Sequence, residues 1–312
     1  MKTSIPLLHY LSVISVVLLM SCNSNPQIQE PIEEPHSKNT AMKNPLIKKE
    51  AKIFRKEVQY KVDSLETRES IDSLVNKYND EELKTILAIN RVEKNKLRPN
   101  RPIIIPECAA EEFNNYSPFP EDLQELQCVP KTVLINRRVQ AFGLYEHGEL
   151  IKWGPVSTGK SSTQTPTGLN YGNYKAKRKV STVDASWILP YYFNFMNFEG
   201  VGVHQYALPG YPASHGCVRL YMDDAKYIFD WANMWELENS SIEANGTPFM
   251  VFGKYDYSAN KPWLDLTQNM KANDLTQEEL DTIREYVSDY QEDPKNFHNI
   301  VSKTKDAELA DA

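Results

Sequence analysis

The stretch Val203–Leu220, VHQYALPGYPASHGCVRL, carries two of the chain's six histidines and one of its four cysteines. His204 stands thirteen residues before Cys217, and His215 two before it. The thiolate is the reactive form of cysteine, and little of it exists at neutral pH unless a base or a positive field assists. Imidazoles this near in sequence therefore point to nucleophilic catalysis. Gly216 removes side-chain bulk ahead of the thiol, so the backbone amides of Gly216 and Cys217 can reach a developing oxyanion. Arg219 is a fixed cation able to grip a carboxylate bidentately. Two other readings stay open on these residues alone. A buried cysteine can be a small core hydrophobe, and a His/Cys cluster can be a metal site. There is no fourth ligand nearby and no HExxH or CxxC, so neither a metal nor a cofactor is expected. Ser214 reads as a turn residue or a substrate contact.

Outward from this stretch the pattern is mostly β. Val133–Ile135, Val139–Tyr145 and Leu150–Trp153 read as strands, with His147-Gly148 as a hairpin turn. Two Gly/Thr-rich segments follow, GPVSTGK (154–160) and TPTGLNYG (165–172). The basic run Lys175, Lys177, Arg178, Lys179 is either a solvated face or an attractor of carboxylate-rich polymer. Trp187–Phe198, WILPYYFNFMNF, is too aromatic to be solvated throughout and is expected to divide between core and cleft wall. A helix is expected from Asp223, capped by Asp223 or Asp224, and NGTPFMVFG closes with a strand. Towards the N-terminus, Ile71, Leu74, Val75 and Tyr78 follow Ser70, an expected N-cap, at helical spacing. A second helical set, Leu83, Ile86, Leu87 and Ile89, begins from Asp80. After Gly253 the chain turns acidic, and Thr276–Glu279 forms a capping box for an amphipathic helix with Leu280, Ile283, Val287 and Tyr290 on one face. That helix is expected to be docked or partner-facing, with a disordered end beyond it.

The chain has 312 residues, 41% of them hydrophobic, and a net charge of −7. The length accommodates two domains or one with extensions, and the charge argues against a sequence-independent nucleic-acid binder. Five tryptophans and seventeen tyrosines suit a groove for sugar- or peptide-like ligands, or an aromatic core. Met1–Ser21 has the length and apolar run of a signal peptide. It ends in Leu19-Met20-Ser21-Cys22, which resembles the lipobox of bacterial lipoproteins, with Met20 departing from the usual residue. The resemblance implies cleavage before Cys22, acylation of its thiol and a membrane anchor. The alternative is ordinary secretion. An oxidising envelope would let Cys108 and Cys128 pair across nineteen intervening residues, a loop whose closure stabilises by about 3 kcal/mol in the entropy model. Cys217 would then be the free thiol; otherwise all three are free.

Helix, helix and then LRPNRPIIIP (97–106) resembles a LysM module, a small βααβ fold that binds N-acetylglucosamine-containing glycans. Tyr78, Leu83, Ile86, Asn90, Leu97 and Ile103–Pro106 carry the likeness. The family's glycine-aspartate at the first turn is replaced by Asp63-Ser64-Leu65, and its Pro-Gly by Pro99-Asn100-Arg101. Contact with glycan is what the resemblance implies, and a structural spacer is the alternative.

The blocks STGK, TPTG, HQYALPGYPASHGCVRL and GTPFMVF together resemble the L,D-transpeptidase (YkuD-like) catalytic domain over about Thr132–Phe252. The resemblance implies a mostly β (α+β) fold, with a β-sandwich-type catalytic domain preceded by the small βααβ unit. It also implies a peptidoglycan-directed acyl transfer in cell-wall biogenesis, with donor and acceptor stem peptides as partners and a 3→3 cross-link as product. Cys217 would be the nucleophile and His204 its base, with His215 shaping the site. Gly216 and Cys217 would stabilise the oxyanion. Arg219, Ser214, Gln205, Tyr206 and Tyr192, with Tyr191 beside it, would contact substrate or wall the cleft. Gln205 stands where many members have glycine or serine, and the short interval from His204 to Cys217 suggests a trimmed lid. The expected organisation is a signal peptide (1–21), a tether (22–57), the LysM-like unit (58–106), a connector (107–130), the catalytic domain (131–253) and an acidic extension (254–312). The protein is expected in the cell envelope, periplasm-facing or on the outer membrane. Water as acceptor would make it an L,D-carboxypeptidase, and a non-catalytic peptidoglycan-binding lipoprotein is the remaining alternative.

Overall fold

Two short apolar runs, one beginning at Lys131 and one at Pro248, pair as neighbouring parallel strands and are buried on both faces. Everything else packs on one side or the other of the sheet they centre. The computed structural model describes residues 57–109 and 111–297. The expected signal segment, the lipidation residue Cys22, nearly all of the tether and the end of the chain from residue 298 lie outside the described residues.

The described chain begins β1 (Tyr60–Leu65), α1 (Arg68–Lys77), α2 (Asp80–Ile89), β2 (Arg101–Pro106). This is the expected βααβ order, with β1 and β2 antiparallel from Tyr60↔Pro106 to Leu65↔Arg101. Helix α1 starts three residues earlier than Ser70 suggested. Thr67 is the N-cap and Ser70 the third helical residue, the two closing a reciprocal capping box. Asn79 caps α2, its side chain accepting from the Glu81 and Glu82 amides at 3.0 Å. Ile71, Leu74, Leu83, Ile86, Ile103 and Ile105 make a core within this unit. The unit is not sealed, however. Ala88, Ile89 and Ile104 face the other way, into a larger core shared with the rest of the chain.

Strands β3 (Lys131–Asn136), β4 (Ala141–Glu146), β5 (Glu149–Pro155) and β6 (Gly168–Tyr171) follow. Then come β7 (Tyr174–Val180), β8 (Ile188–Met196), β9 (Val201–Gln205), β10 (Val218–Leu220) and α3 (Met222–Trp231). A small β11 (Glu236–Glu238) and β12 (Ser241–Ala244) pair precedes β13 (Pro248–Phe252), and α4 (Gln277–Glu292) closes the described chain. The order β5-β4-β3-β13-β6 makes a five-stranded sheet and β10-β9-β8-β7 a four-stranded one. The expected β4–β5 hairpin turns at His147 (φ 46°) and Gly148 (φ 80°), both left-handed as the tightest hairpin turns require. Strand alternation assigns the faces. Val133, Ile135, Phe142, Leu144, Phe249 and Val251 meet Phe193, Phe195, Val203, Val218 and Leu220 of the four-stranded sheet, with Ala225 and Ile228 of α3. Leu134, Ala141, Tyr145, Met250 and Phe252 point to the opposite face. The architecture is therefore mixed α+β around a two-sheet core.

That opposite face is covered by the connector and by the extension after Gly253. The connector supplies Tyr116, Phe119, Leu123, Leu126 and Val129, and Phe113 stacks on Trp153 at 4.6 Å while accepting its indole N–H at 2.9 Å. Cys108 and Cys128 are both exposed free thiols, so the expected disulfide is not formed. Instead, Cys128 accepts from Gln291 of α4 at 3.2 Å. Helix α4 is docked: Ile283, Val287 and Tyr290 enter the same core as Trp263 and Leu266. Thr276 and Glu279 form its capping box. The buried Glu279 carboxylate also receives both Arg138 Nε and Nη2 at 2.8 Å, and Asn136 at 2.9 Å. In α3 neither aspartate is the cap. Tyr221 holds the N-cap position, and Asp224, buried in the first turn, pairs with Lys152 at 3.0 Å. None of the described helices is long and apolar enough to cross a membrane.

Candidate active site

A hydrogen-bonded parallel pairing closes the thirteen-residue gap between the histidine and the thiol. Strands β9 and β10 align Val203 with Val218 and His204 with Arg219. Cys217, one residue before β10, is thereby placed beside Gly202. His204 and Cys217 line one small cavity together with Trp187, Tyr206, His215 and Arg219. His204 is buried, and its Nδ1 lies 2.9 Å from the Gln205 carbonyl oxygen. With the proton on Nδ1 donated to that carbonyl, Nε2 is left as the basic nitrogen. Because Gln205 contributes its carbonyl, its side chain is not a requirement of the pair.

Burial governs the charge state of both groups. It pulls the His204 imidazole down to about 4, with the nearby Arg219 cation adding to the effect and the Gln205 carbonyl opposing it. It also pushes the Cys217 thiol above its ordinary value, against the Gly202 backbone and the positive charges of Lys179 and Arg219. At neutral pH the resting pair is thus imidazole and thiol, both uncharged. Proton transfer must accompany attack on an electrophile rather than precede it.

The two Gly/Thr-rich segments form the cradle of the SHGC turn. Ser157 exchanges backbone hydrogen bonds with Arg219 at 3.1 and 3.0 Å, and the Thr158 carbonyl accepts from the Ala213 and Ser214 amides. The Thr163 hydroxyl donates to the Ser214 carbonyl at 3.1 Å. The buried Thr165 hydroxyl donates to the Gly216 carbonyl at 2.7 Å and accepts from the Gly159 amide at 2.9 Å. A Cβ at Gly159 would fall 2.0 Å from the Thr163 carbonyl oxygen, so the approach of these segments depends on glycine there. Gly216 is needed for conformation instead: its φ is +121°, yet a Cβ there would meet only ordinary contacts. Thr165→Val keeps the shape but leaves the Gly216 carbonyl and Gly159 amide unpartnered. A loss of about 1–3 kcal/mol in thermal or urea unfolding is expected.

Several residues stand differently from expectation. The Gly216 amide donates to Ser214 Oγ at 3.1 Å, so it is occupied and not aimed at an oxyanion; Ser214 Oγ in turn donates to the Cys217 carbonyl. Ser214 is accordingly a buried turn brace. Tyr192 is fully buried, its hydroxyl donating to the Gly200 carbonyl at 2.7 Å and its ring 6.3 Å from His204, so it backs the histidine instead of walling the cleft. Tyr191 has a left-handed φ of 49° and packs edge-on against Phe229 of α3. Tyr206 does line the cavity, under the Arg219 guanidinium at 4.7 Å. His215 is exposed at the cavity's rim, 3.0 Å from Lys160 Nζ, with its ring tilted against Trp187 at 5.2 Å. Lys160 went unnoticed in the sequence because its STGK motif gave no hint of a histidine partner. The basic strand β7 is divided: Lys177 and Arg178 are exposed, while Lys175 lies over Phe193 and Lys179 over Tyr192 at 4.6 and 4.3 Å. Among the described residues no three His, Cys, Asp or Glu side chains are grouped to hold a metal ion.

Comparison with known proteins agrees on the class of domain. Residues 130–251 match the YkuD family, the L,D-transpeptidase catalytic domain. Among solved structures, this chain is similar to an L,D-transpeptidase from Stackebrandtia nassauensis, at 28% identity over 40% of this chain and 57% of that one, with a TM-score of 0.33. It is also similar to L,D-transpeptidase 1 from Mycobacterium tuberculosis, at 23% identity over 40% and 62%, with a TM-score of 0.30. An L,D-transpeptidase from Mycobacterium smegmatis matches at 20% identity over 39% and 58%, with a TM-score of 0.32. The chain thus spans about three-fifths of the length of each of these relatives. No curated protein matches.

Proposed function

We propose that this protein is a peptidoglycan L,D-transpeptidase that works through a cysteinyl acyl-enzyme. The observation that carries the reading is the β9–β10 pairing, which sets a Gln205-oriented imidazole and the Cys217 thiol on one cavity inside the segment matching the family. Cys217 Sγ attacks the amide carbonyl between the third residue of a stem peptide and its terminal D-alanine. His204 Nε2 takes the thiol proton as the C–S bond forms and returns it to the leaving amine. With the Gly216 amide occupied, the Cys217 amide is the oxyanion donor of that pair. The side-chain amine of a second stem then attacks the thioester, its proton passes through His204, and the thiol is regenerated with a 3→3 cross-link formed. Arg219 holds a substrate carboxylate at the mouth, and His215 with Lys160 shapes its rim.

The same proposal extends to the flanking segments. Cys22 is the acylation site that tethers the enzyme to an envelope membrane, and residues 58–106 are a LysM-like unit joined to the catalytic domain at 131–253. The test is incubation of the protein with tetrapeptide muropeptides and resolution of the products by mass. Cross-linked dimers with released D-alanine are expected. Tripeptide monomers alone would make the enzyme an L,D-carboxypeptidase, and unchanged muropeptides with wild type and Cys217→Ala alike would refute both.

A further inference from the structure

A second cleft, larger than the cavity that holds the thiol, lies beside it. A depression of about 400 Å³ opens on the other side of Arg219, between β2 with the turns preceding it and the loop running from Tyr206 to Ala213. Arg219 and Tyr206 line both depressions, so the two adjoin at these side chains. Four more cations line the larger one, namely Lys96, Arg98, Arg101 and Lys261, and no carboxylate is among its lining residues. Clustering five positive charges in a chain of net charge −7 is costly unless an anion visits.

Their partners deepen the point. Arg98 donates to the backbone carbonyls of Asn95 and Leu97, and Arg219 to that of Ala207. Lys96, Arg101 and Lys261 form no ion pair among the described residues. Glu93 is near enough to feel Lys96 but does not line the cleft. Lys261 is the most sheltered of the three. Burial and the neighbouring Arg101 charge both lower its pKa, the mark of a cation with no counter-charge. The walls are also fixed. The Glu93 amide donates to the Leu208 carbonyl at 2.9 Å, Val92 and Pro209 form a β-bridge, and the Tyr221 hydroxyl donates to the Val92 carbonyl at 2.8 Å. A preformed cleft of this size suits a short extended peptide.

We infer that this cleft is a subsite for a carboxylate-bearing stem peptide, whose free carboxylates sit on Lys261, Arg101 and Lys96 while its reactive end passes Arg219 to Cys217. The inference rests on the proposed transpeptidase reading and adds to it a substrate-charge requirement. It also gives residues 58–106 a part in substrate selection, since β2 and its preceding turn supply three of the cations.

Binding, not turnover, tests it. The full chain carrying Cys217→Ala is titrated with a fluorescent tetrapeptide stem bearing free carboxylates and with the same peptide amidated. Tighter binding of the acidic form, weakened by added salt, is expected. Lys261→Gln with Arg101→Gln is expected to weaken the acidic peptide about tenfold and leave the amidated one unmoved. Lys96→Gln, a single change at a partly exposed position, gives a smaller loss in the same direction and guards against misfolding of the double variant. Equal affinity for both peptides, or variants that bind the acidic peptide as well as the parent, would overturn the subsite. So would phosphatidylglycerol vesicles that bind and are released by these substitutions while the peptide is not, which would make the cleft a membrane contact. Because the binding assay needs no chemistry, a wild-type protein inert toward muropeptides would refute the catalytic reading separately.

Discussion

His204→Ala protein is expected to turn over muropeptides about a thousandfold more slowly than wild type at pH 7, within the usual range for loss of a positioned general base. The argument follows from the two charge states at rest. A thiol raised above its ordinary value supplies almost no thiolate at neutral pH, so the reaction has no route around the imidazole. The imidazole, lowered to about 4, is in its basic form throughout the neutral range. Protonation inactivates it only as pH falls through that value. The acid limb of kcat/KM is therefore expected near pH 4, below the ordinary histidine value of about 6.5. A limb at about 6.5 would mean that the histidine is hydrated in the working enzyme, and a resting thiolate–imidazolium pair would be back in play. Iodoacetamide offers an independent reading, because alkylation of Cys217 should be slow at pH 7 and climb steadily into the alkaline range. Unchanged muropeptide turnover in His204→Ala would remove the histidine from the chemistry altogether.

What the sequence could and could not say about this site follows from the physics of each signal. Turn and strand chemistry is local, so the His147-Gly148 hairpin, the Thr276 capping box and the closing strand at Pro248–Phe252 were all legible. The closeness of Gly216 to the thiol was legible too, but its role was not. Glycine serves there for its φ of +121°, and where its amide points depends on the Ser214 side chain, which no spacing rule reveals. The aromatic run was misread at Tyr192 for a related reason. The left-handed φ at Tyr191 interrupts simple alternation, and Tyr192 and Phe193 are both buried. Thr165 stood in a visible motif, yet its work as a brace under Gly216 exists only once residues fifty-one apart are folded together. The connector carried no periodic signal, yet its few large apolar residues, Phe119 among them, join Trp263 and Ile283 of the acidic extension in covering the second face of the central sheet. Average polarity hides a docking face whose apolar residues are well spaced.

Arg91→Ala is expected to be the most damaging single change outside the reacting groups. Arg91 is 1% exposed, and its guanidinium forms no ion pair among the described residues. Burial lowers its pKa only to about 10, so it stays charged at neutral pH. Backbone carbonyls satisfy it: Nε donates to Val139 at 2.9 Å, and Nη1 donates to Ala88 at 3.0 Å and Ile89 at 2.6 Å. The rings of Trp153 and Trp263 lie 5.8 and 5.3 Å from the guanidinium carbon. The side chain thus ties the end of α2, the central sheet and the segment after β13 into one piece. Its own backbone, at a φ of 56°, turns the chain so that Val92 and Glu93 meet Leu208 and Pro209. Truncation removes the side-chain donor from the buried Val139 and Ile89 carbonyls and leaves a cavity between two indoles, at a cost of about 3–5 kcal/mol. In a protein of this size that corresponds to a fall in Tm of about 10 °C. The loop joining His204 to Cys217 loses its outer support at the same time, so limited proteolysis should cut between Ala207 and Ala213 faster than in wild type. Arg91→Met, which fills the space without donating, should recover part of the stability and little of the loop protection. If Arg91→Ala melts with wild type and its loop resists protease equally, then the contact between residues 58–106 and the catalytic segment is too weak in solution to brace the site, and the cleft between them loses its fixed wall.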